Sequence, residues 1–337
     1  MATIKDIAKS LNISVSTVSY ALNGGPRPVP KQVREKVLLT AKEMGYRPNR
    51  TAKSLITGRT YAIGIVPSFL GLDFALSPFF LESLNGIINE CEVRKYDVIL
   101  ITRYDQKDVE ALLNNVLDGR VDGLIFLAPP IDSRAVELVS EHQMPVVITG
   151  HKAFNAPSFS ADNRHGVRLA LQLLYDQRHR KIGHLTGMDH LEDSLQRKDA
   201  FLNFIQEYDL PQDDQWVLNG NFNPDMSYEN GLKMLSLTNR PTAVFCANDE
   251  SALGFYRAAR EMKLDVPKDV SVVGFDNARI SEYCHPRLTT VAQPLATIAA
   301  AALNSIVDAI ENGTKPQSKI FPTQLVVRDS VCPPVYS

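Results

Sequence analysis

Seven short apolar runs, each followed by a stretch with helical spacing, dominate the chain from residue 61 onward. They are YAIGIVP (61–67), YDVILIT (96–102), VDGLIFLA (121–128), PVVITG (145–150), KIGHLTG (181–187), TAVFCAN (242–248) and VSVVGFD (270–276). A strand that is apolar along its whole length must be covered on both faces. Helical segments between such strands supply the cover, so the pattern predicts parallel sheet wound with helices. A stretch of about 230 residues exceeds one small sheet, and two doubly wound lobes are expected. One large dinucleotide-fold enzyme is the competing reading.

In such folds ligands sit at the carboxyl ends of the strands. Asp193 and Arg197 follow the run at 181–187, Asn248 and Asp249 follow 242–248, and Asp276 and Asn277 follow 270–276. Phe222 lies in the turn NGNFNPD, and Phe79 and Phe80 stand near the start of a helix in the first lobe. A sugar needs forked donors and acceptors for vicinal hydroxyls and an aromatic face for the C–H side of its ring. Arg197 with Asp276 and Asn248 supplies the fork, and Phe222 the face. The plainer reading of Arg197 and Asp276 is a structural ion pair. Asp249 is expected to cap the helix over 250–262, and Phe79 and Phe80 suit a core as well as a cleft.

The first 23 residues follow a different pattern. In TIKDIAKSLNISVSTVSYALN, Ile4, Ile7, Ala8 and Leu11 share one helical face, and Thr3 and Asp6 stand at capping-box spacing. Asn12 and Ile13 interrupt the helix and Ser14 caps a second one. There Val18, Ala21 and Leu22 turn inward, and Val15, Ser16, Thr17, Ser19 and Tyr20 turn outward. Two short helices around a tight turn suit a helix-turn-helix in a major groove; an ordinary helical hairpin has the same periodicity. Val33, Val37, Ala41 and Met44 predict a third helix with Gly45 as its stop. In the loop GGPRPVP (24–30), Arg27 suits a phosphate contact and plain solvation equally. Between Pro48 and Gly58 the spacing predicts a helix of about two turns, Asn49 to Ile56, too short to be stable alone in water.

Motifs along the whole length resemble the LacI/GalR family of bacterial transcription regulators. They are IKDIAKSLNISVSTVSYALN, GYRPNRTAKSL, IGIV, FCANDESALGF, VSVVGFDN and PRLTTVAQP, in that order. The resemblance implies an all-α helix-turn-helix DNA-binding head over 1–47 and a hinge helix and linker over 48–60. An effector-binding and dimerisation domain over 61–337 follows. That domain would be an α/β core of two doubly wound parallel-sheet lobes of the periplasmic-binding-protein type. Crossings are implied near 161–163, 290–293 and 320–323. Lobe one is then about 61–161 plus 293–321, and lobe two about 162–292 plus 322–337.

By the same resemblance, Val15, Ser16 and Tyr20 match variable base-reading positions. Thr3, Ser14, Thr17 and Ser19 are placed for phosphates. Leu55, with Ala52 and Lys53 beside it, matches the hinge residue that wedges into a central minor-groove step; docking of Ala52, Leu55 and Ile56 on the next domain is the alternative. Arg197, Asn248, Asp276, Phe222 and Asp193 align with effector-contacting positions of sugar-responsive members. Leu191 and Asp193 depart from the basic and hydroxyl side chains of the purine-responsive branch. An acidic Asp193 would also repel a sugar phosphate. The segment FLGLDFALSPFF (69–80) is longer than in well-known members, which leaves lobe-one contacts open.

Charge agrees with a polyanion partner for the head. Residues 1–60 hold 11 Lys/Arg against 3 acids, while the rest of the chain carries a net −10. A solvated basic face would give the same count. No run approaches the ~20 apolar residues of a membrane span. The chain opens on a capped polar helix with no signal-peptide pattern. Cys91, Cys246, Cys284 and Cys332 stand at no metal-ligand spacing, and no metal or cofactor is expected. These features point to a reducing cytoplasm. Arg178, His179, Arg180, Lys181 and His184 form the richest polar cluster, expected to be a solvated turn. GxGxxG, Walker, HExxH and GxSxG patterns are absent, which argues against an enzyme. The expected protein is a DNA-binding regulator, in sense a repressor. It would bind a palindromic operator as a homodimer under control of a small-molecule effector, foremost a neutral sugar. A purine, a phosphoprotein co-regulator or a sugar-binding receptor without DNA control are the alternatives. No leucine heptad follows Val326, so dimer is favoured over tetramer.

Overall fold

Thr3 starts the first helix, α1 (Ile4–Leu11), through a capping box: Asp6 N–H donates to Thr3 Oγ1 at 3.3 Å, and Thr3 N–H donates to Asp6 Oδ2 at 2.8 Å. The Thr3 hydroxyl also donates to Asp6 Oδ2 at 2.7 Å, and these bonds hold the Asp6 carboxyl below its ordinary range. Asn12 ends the helix in the left-handed region at φ 51°. Ser14 then caps α2 (Val15–Asn23) by accepting from Thr17 N–H at 3.0 Å. The third helix, α3 (Lys31–Glu43), stops where Gly45 takes φ 62°, with Gly45 N–H bonded to Lys42 O and Tyr46 N–H to Ala41 O. That pair of bonds is a Schellman cap, and its left-handed residue is where glycine costs least. Ile7, Ala8, Val18, Ala21, Val37 and Ala41 are buried together, with Ile4, Leu11, Ile13, Leu22, Val29, Val33 and Tyr46 against them. Met44 is the exception to the expected inner row. It is the C-cap residue, past the last helical turn, and remains 38% exposed.

The computed structural model describes residues 2–24, 27–47, 58–67, 77–102, 109–150 and 156–335. The hinge helix expected at Asn49–Ile56 lies outside these residues, as do Ala52, Lys53 and Leu55. The chain divides into two compact units, Met1–Tyr61 and Ala62–Ser337.

The second unit contains two six-stranded sheets. The first is built from β1 (Ala62–Pro67), β2 (Asp97–Leu100), β3 (Gly123–Leu127), β4 (Val146–Thr149), β5 (Ser158–Ala161) and β11 (Lys319–Phe321). Their order is β11-β5-β4-β3-β1-β2, and every pairing is parallel. Helices α4 (Pro78–Arg94), α5 (Val109–Val116) and α6 (Arg134–Glu141) belong to this lobe. The second sheet contains β6 (Ile182–Thr186), β7 (Val217–Asn219), β8 (Ala243–Cys246), β9 (Ser271–Asp276), β10 (Thr289–Ala292) and β12 (Gln324–Val326). Its order is β12-β10-β9-β8-β6-β7. Helices α7 (Asn163–Asp176), α8 (Glu192–Glu207), α9 (Pro224–Leu235), α10 (Asp249–Glu261) and the single turn α11 (Ile280–Tyr283) pack with it. The long α12 (Leu295–Asn312) follows β10 but packs on the first lobe, against α4, β3, β4 and β5. The chain therefore passes between sheets after β5, after β10 and after β11.

The sheets are parallel as expected except at one edge. Strand β12 pairs antiparallel with β10. The physical reason is the crossing itself: β11 ends at the carboxyl edge of its sheet, and only residues 322 and 323 separate it from β12. Strand β12 must start at that edge and run back.

The polar cluster at 178–184 also differs from expectation. Arg178, Arg180 and Lys181 are exposed, but His179 and His184 are fully buried. His179 bonds Thr242 Oγ1 at 2.9 Å, Ser271 Oγ at 3.1 Å and Cys332 O at 2.9 Å. His184 stacks between Phe201 and Phe245 with centroids 4.8 and 4.9 Å away. Burial lowers each imidazole to about 4, so both are neutral core groups at physiological pH. Cys91 and Cys246 are buried free thiols. Among the described residues no helix is long and apolar enough to cross a membrane.

Candidate functional site

The outer face of α2 gathers the side chains expected to meet DNA. Val15 is 46% exposed, Ser16 is exposed, and Thr17, Ser19 and Tyr20 are half-buried around the helix. The hydroxyls of Ser14 and Ser16 lie 2.8 Å apart, and those of Ser14 and Thr17 2.7 Å. Thr3 and Ser14 are thus helix caps first. The Thr3 hydroxyl gives its proton to Asp6 and the Ser14 hydroxyl already makes three contacts, so either must release a cap bond to donate to a phosphate.

The second cluster stands at the carboxyl ends of the second sheet. Asp193 and Arg197 lie one turn apart at the start of α8, after β6; Phe222 lies between β7 and α9; Asn248 caps α10 after β8; and Asp276 ends β9. Arg197 is only 4% exposed. Its Nε donates to Asn163 Oδ1 at 2.9 Å, its Nη1 donates to Ala247 O at 2.5 Å, and Nη1 lies 3.7 Å from Asp276 Oδ1. The guanidinium stands 3.9 Å over the Phe275 ring and 5.7 Å from the centroid of Phe222. Asn163 passes the chain on, donating to Asp193 Oδ1 at 2.5 Å. Gln293 Nε2 donates to Asp276 Oδ1 at 2.5 Å. Phe222 and Asn221 take φ 52° and 54°, and the Phe222 ring lies on Gly187 so closely that a Cβ there would enter it. A residue larger than glycine at 187 would displace that ring.

Asp249 differs from its expected role. Asn248 is the cap, accepting from Ser251 N–H at 2.9 Å. Asp249 is buried in the first turn, where it accepts from Thr290 Oγ1 at 2.5 Å and from Ala278 N–H at 2.7 Å. It ties α10 to the segments after β9 and in β10. Phe80 is buried and Phe79 half-buried at the start of α4. Sequence reasoning missed Asn163 and Gln293, which follow β5 and β10. Both obey the strand-end rule; their strands had not been read as strands.

Three carboxylates, Asp276, Asp193 and Asp249, act on the Arg197 guanidinium, and Glu250 stands near Asp276. Burial pushes Asp276 up to about 6 against the pull of Arg197 and Gln293. Burial and the nearby Asp276 push Glu250 up to about 7 from an ordinary value of 4.5. The folded chain therefore holds the Glu250 proton more tightly than the unfolded chain does. That contribution is fully present below pH 4.5 and is lost as pH rises through about 7. Glu250→Gln should raise the melting temperature at pH 8 and leave it nearly unchanged at pH 4. After discounting for solvent screening, the gain is about 1–2 kcal/mol. A melting series over pH checks it; an equal gain at both ends would mean that the carboxylate is not penalised.

The arrangement is a fixed set of donors and acceptors with an aromatic wall. Among the described residues no group of His, Cys, Asp and Glu could hold a metal ion.

Comparison with known proteins covers both parts of the chain. The sequence model for bacterial regulatory proteins of the lacI family matches residues 3–49, and that for a periplasmic binding protein-like domain matches 171–331. The HTH-type transcriptional repressor PurR of Erwinia tasmaniensis is 32% identical over 338 residues, covering 98% of this chain and 97% of its own. The chain belongs to the LacI family. The ribose operon repressor of Haemophilus influenzae is 30% identical over 338 residues, covering 98% of this chain and 99% of its own. The Lac repressor dimer bound to operator and the anti-inducer ONPF shares the fold. Its TM-score is 0.87 at 24% identity, over 98% of this chain and 99% of that one. As a LacI-family member this protein is a DNA-binding transcription regulator with an N-terminal helix-turn-helix.

Proposed function

We propose that this LacI-family regulator is a cytoplasmic, non-enzymatic repressor that binds a palindromic operator as a homodimer. A neutral sugar held at the second-sheet cluster controls it. Residues 1–47 would read DNA, 48–60 would form the hinge, and 61–337 would bind effector and dimerise. The three chain passages support lobes at about 61–161 plus 293–321 and 162–292 plus 322–337. Val15, Ser16 and Tyr20 would discriminate bases, with Thr3, Ser14, Thr17 and Ser19 on phosphates and Ala52, Lys53 and Leu55 in the hinge. Phe79 and Phe80 would close the cleft from the first lobe.

One observation carries the effector reading. A buried guanidinium is held by Asn163, Ala247 O and Asp276 next to the Phe222 ring, with carboxylates on several sides. Vicinal hydroxyls donate to such carboxylates and accept from the fork, and the ring covers a C–H face. The acid excess disfavours anions such as sugar phosphates. Leu81 and Ile88, two of the three exposed large apolar residues on α4, and Ile280 and Tyr283 on α11 support a surface for a second copy. Two of the similar proteins, a ribose operon repressor and an operator-bound dimer, agree with both parts.

The test is a thermal-shift screen of the full chain against mono- and disaccharides, polyols, sugar phosphates, purines and nucleosides. A ligand at 100-fold excess over its Kd adds about 2.7 kcal/mol. A neutral sugar should raise the melting temperature and alter operator affinity in fluorescence anisotropy. A purine hit, or silence across all sugars, would overturn the sugar assignment.

A further inference from the structure

Asp276 and Asn277 end β9 in a conformation that side chains seldom adopt, with φ 115° and 56°. Such a pair persists only where its surroundings over-determine it. On one side Asp276 faces Arg197 and Gln293. On the other side a second arginine, used by neither the DNA reading nor the effector reading, grips the next residue. Arg328, just past β12, has a side chain only 10% exposed. Its Nη2 donates to Asn277 Oδ1 at 2.7 Å and to Glu282 Oε1 at 3.3 Å. Its Nη1 donates to Leu288 O at 2.8 Å and to Ser281 Oγ at 3.1 Å. Its own N–H donates to Thr289 Oγ1 at 2.9 Å. One planar fork thus joins the end of β9, the α11 turn and the start of β10.

We infer that Arg328 is a positioning residue for effector recognition: by holding Asn277 it fixes the rare backbone geometry that aims the Asp276 carboxylate at Arg197. The inference rests on the cleft being the effector site. Lysine cannot replace the fork, because a point ammonium cannot serve Asn277 Oδ1 and Leu288 O in one plane. In Arg328→Lys the 276–277 pair relaxes and Asp276 leaves its place opposite Arg197.

The test uses the full chain and has two arms. The first needs no ligand. Unfolding midpoints are measured for wild type, Arg197→Lys, Arg328→Lys and the double variant. The hydrogen bonds given above for the two arginines have no partner in common; both charges act on Asp249, and lysine keeps both charges. Loss of the two forks by independent roles would therefore add, and the double variant should instead lose less than the sum of the singles. Additivity overturns the inference. In the second arm D-ribose and cellobiose, a small and a large polyhydroxyl probe, are titrated by calorimetry. The same titrations are run on Arg328→Lys, Asp276→Asn and the two combined. Where wild type binds a probe, Arg328→Lys should weaken it about tenfold, or ~1.4 kcal/mol. In the Asp276→Asn background it should cost nothing more. Unchanged affinity in Arg328→Lys, or a full further loss in the double variant, overturns the inference. If neither sugar binds wild type, the titrations are run with the sugar that the thermal-shift panel returns; silence across that whole panel is what defeats the sugar reading, and the midpoint coupling then still decides whether Arg328 holds Asp276 against Arg197.

Discussion

Arg197→Ala is expected to abolish the response to sugar while operator binding without effector stays within a few-fold of wild type. The guanidinium is the cation on which Asp276, Asp193 and Asp249 act, and it also bonds Asn163 and Ala247 O. Removing one member of a buried pair typically costs about 3–5 kcal/mol, because the partner charge is left without compensation. Part of that cost is avoidable: Asp276, already raised to about 6, can take up a proton once Arg197 is gone. Protonation becomes harder as pH rises, so the melting-temperature deficit should widen between pH 6 and pH 8. Adding Asp276→Asn should recover part of it. Melting curves over pH and anisotropy titrations with and without sugar are the checks. A sugar response retained in Arg197→Ala would move the effector site elsewhere. A deficit independent of pH would mean that the pair is not what Arg197 neutralises. Arg197→Lys keeps the charge but loses the fork, and separates recognition from stability if the alanine variant folds poorly.

The cluster was legible where its strands were. β8 (AVFC) is apolar throughout and β9 (SVVGFD) is apolar between its first and last residues, so their carboxyl ends can be found by inspection. That is why Asp276 could be placed beside Arg197, and Asn248 at the same edge of the sheet, from sequence. β5 (SFSA) and β10 (TTVA) are four residues each and rich in hydroxyls, which reads equally well as loop. Asn163 and Gln293 were lost with them, although the same rule covers both. Asn248 and Asp249 show a different limit. Either can cap a helix, and only the observed bonds from Thr290 and Ala278 assign Asp249 to the packing of the lobe. His179 and His184 show a third. Amid three cations they read as surface, yet His179 turns inward to bond Thr242, Ser271 and Cys332 O, and His184 lies in a strand buried on both faces, where burial keeps each neutral. In the head almost everything local was readable, because capping and left-handed stops are short-range chemistry.

Ile88→Arg is expected to yield a monomer that has lost about 10²–10⁴ in operator affinity. Helix α4 turns Phe80, Ser83, Gly86, Ile87 and Cys91 into its own lobe. Leu81 and Ile88, seven residues apart and 50% and 49% exposed, share the opposite face with Asn85 and Glu92. Single exposed apolar residues need no explanation; this pair supports an interface because the proposed function requires two heads on one palindrome. A buried arginine there would meet its own copy across a two-fold axis, where like charges repel and neither finds a partner. The head would stay folded, since its core is built from Ile7, Val18, Val37 and their neighbours alone. A lone head still contacts one half-site, but it no longer gains from the tethered second head. Sedimentation should report a monomer, and weak, strongly salt-dependent DNA binding should remain. If Ile88→Arg stays dimeric with full operator affinity, α4 is not the interface and the outward face of α11 becomes the place to look.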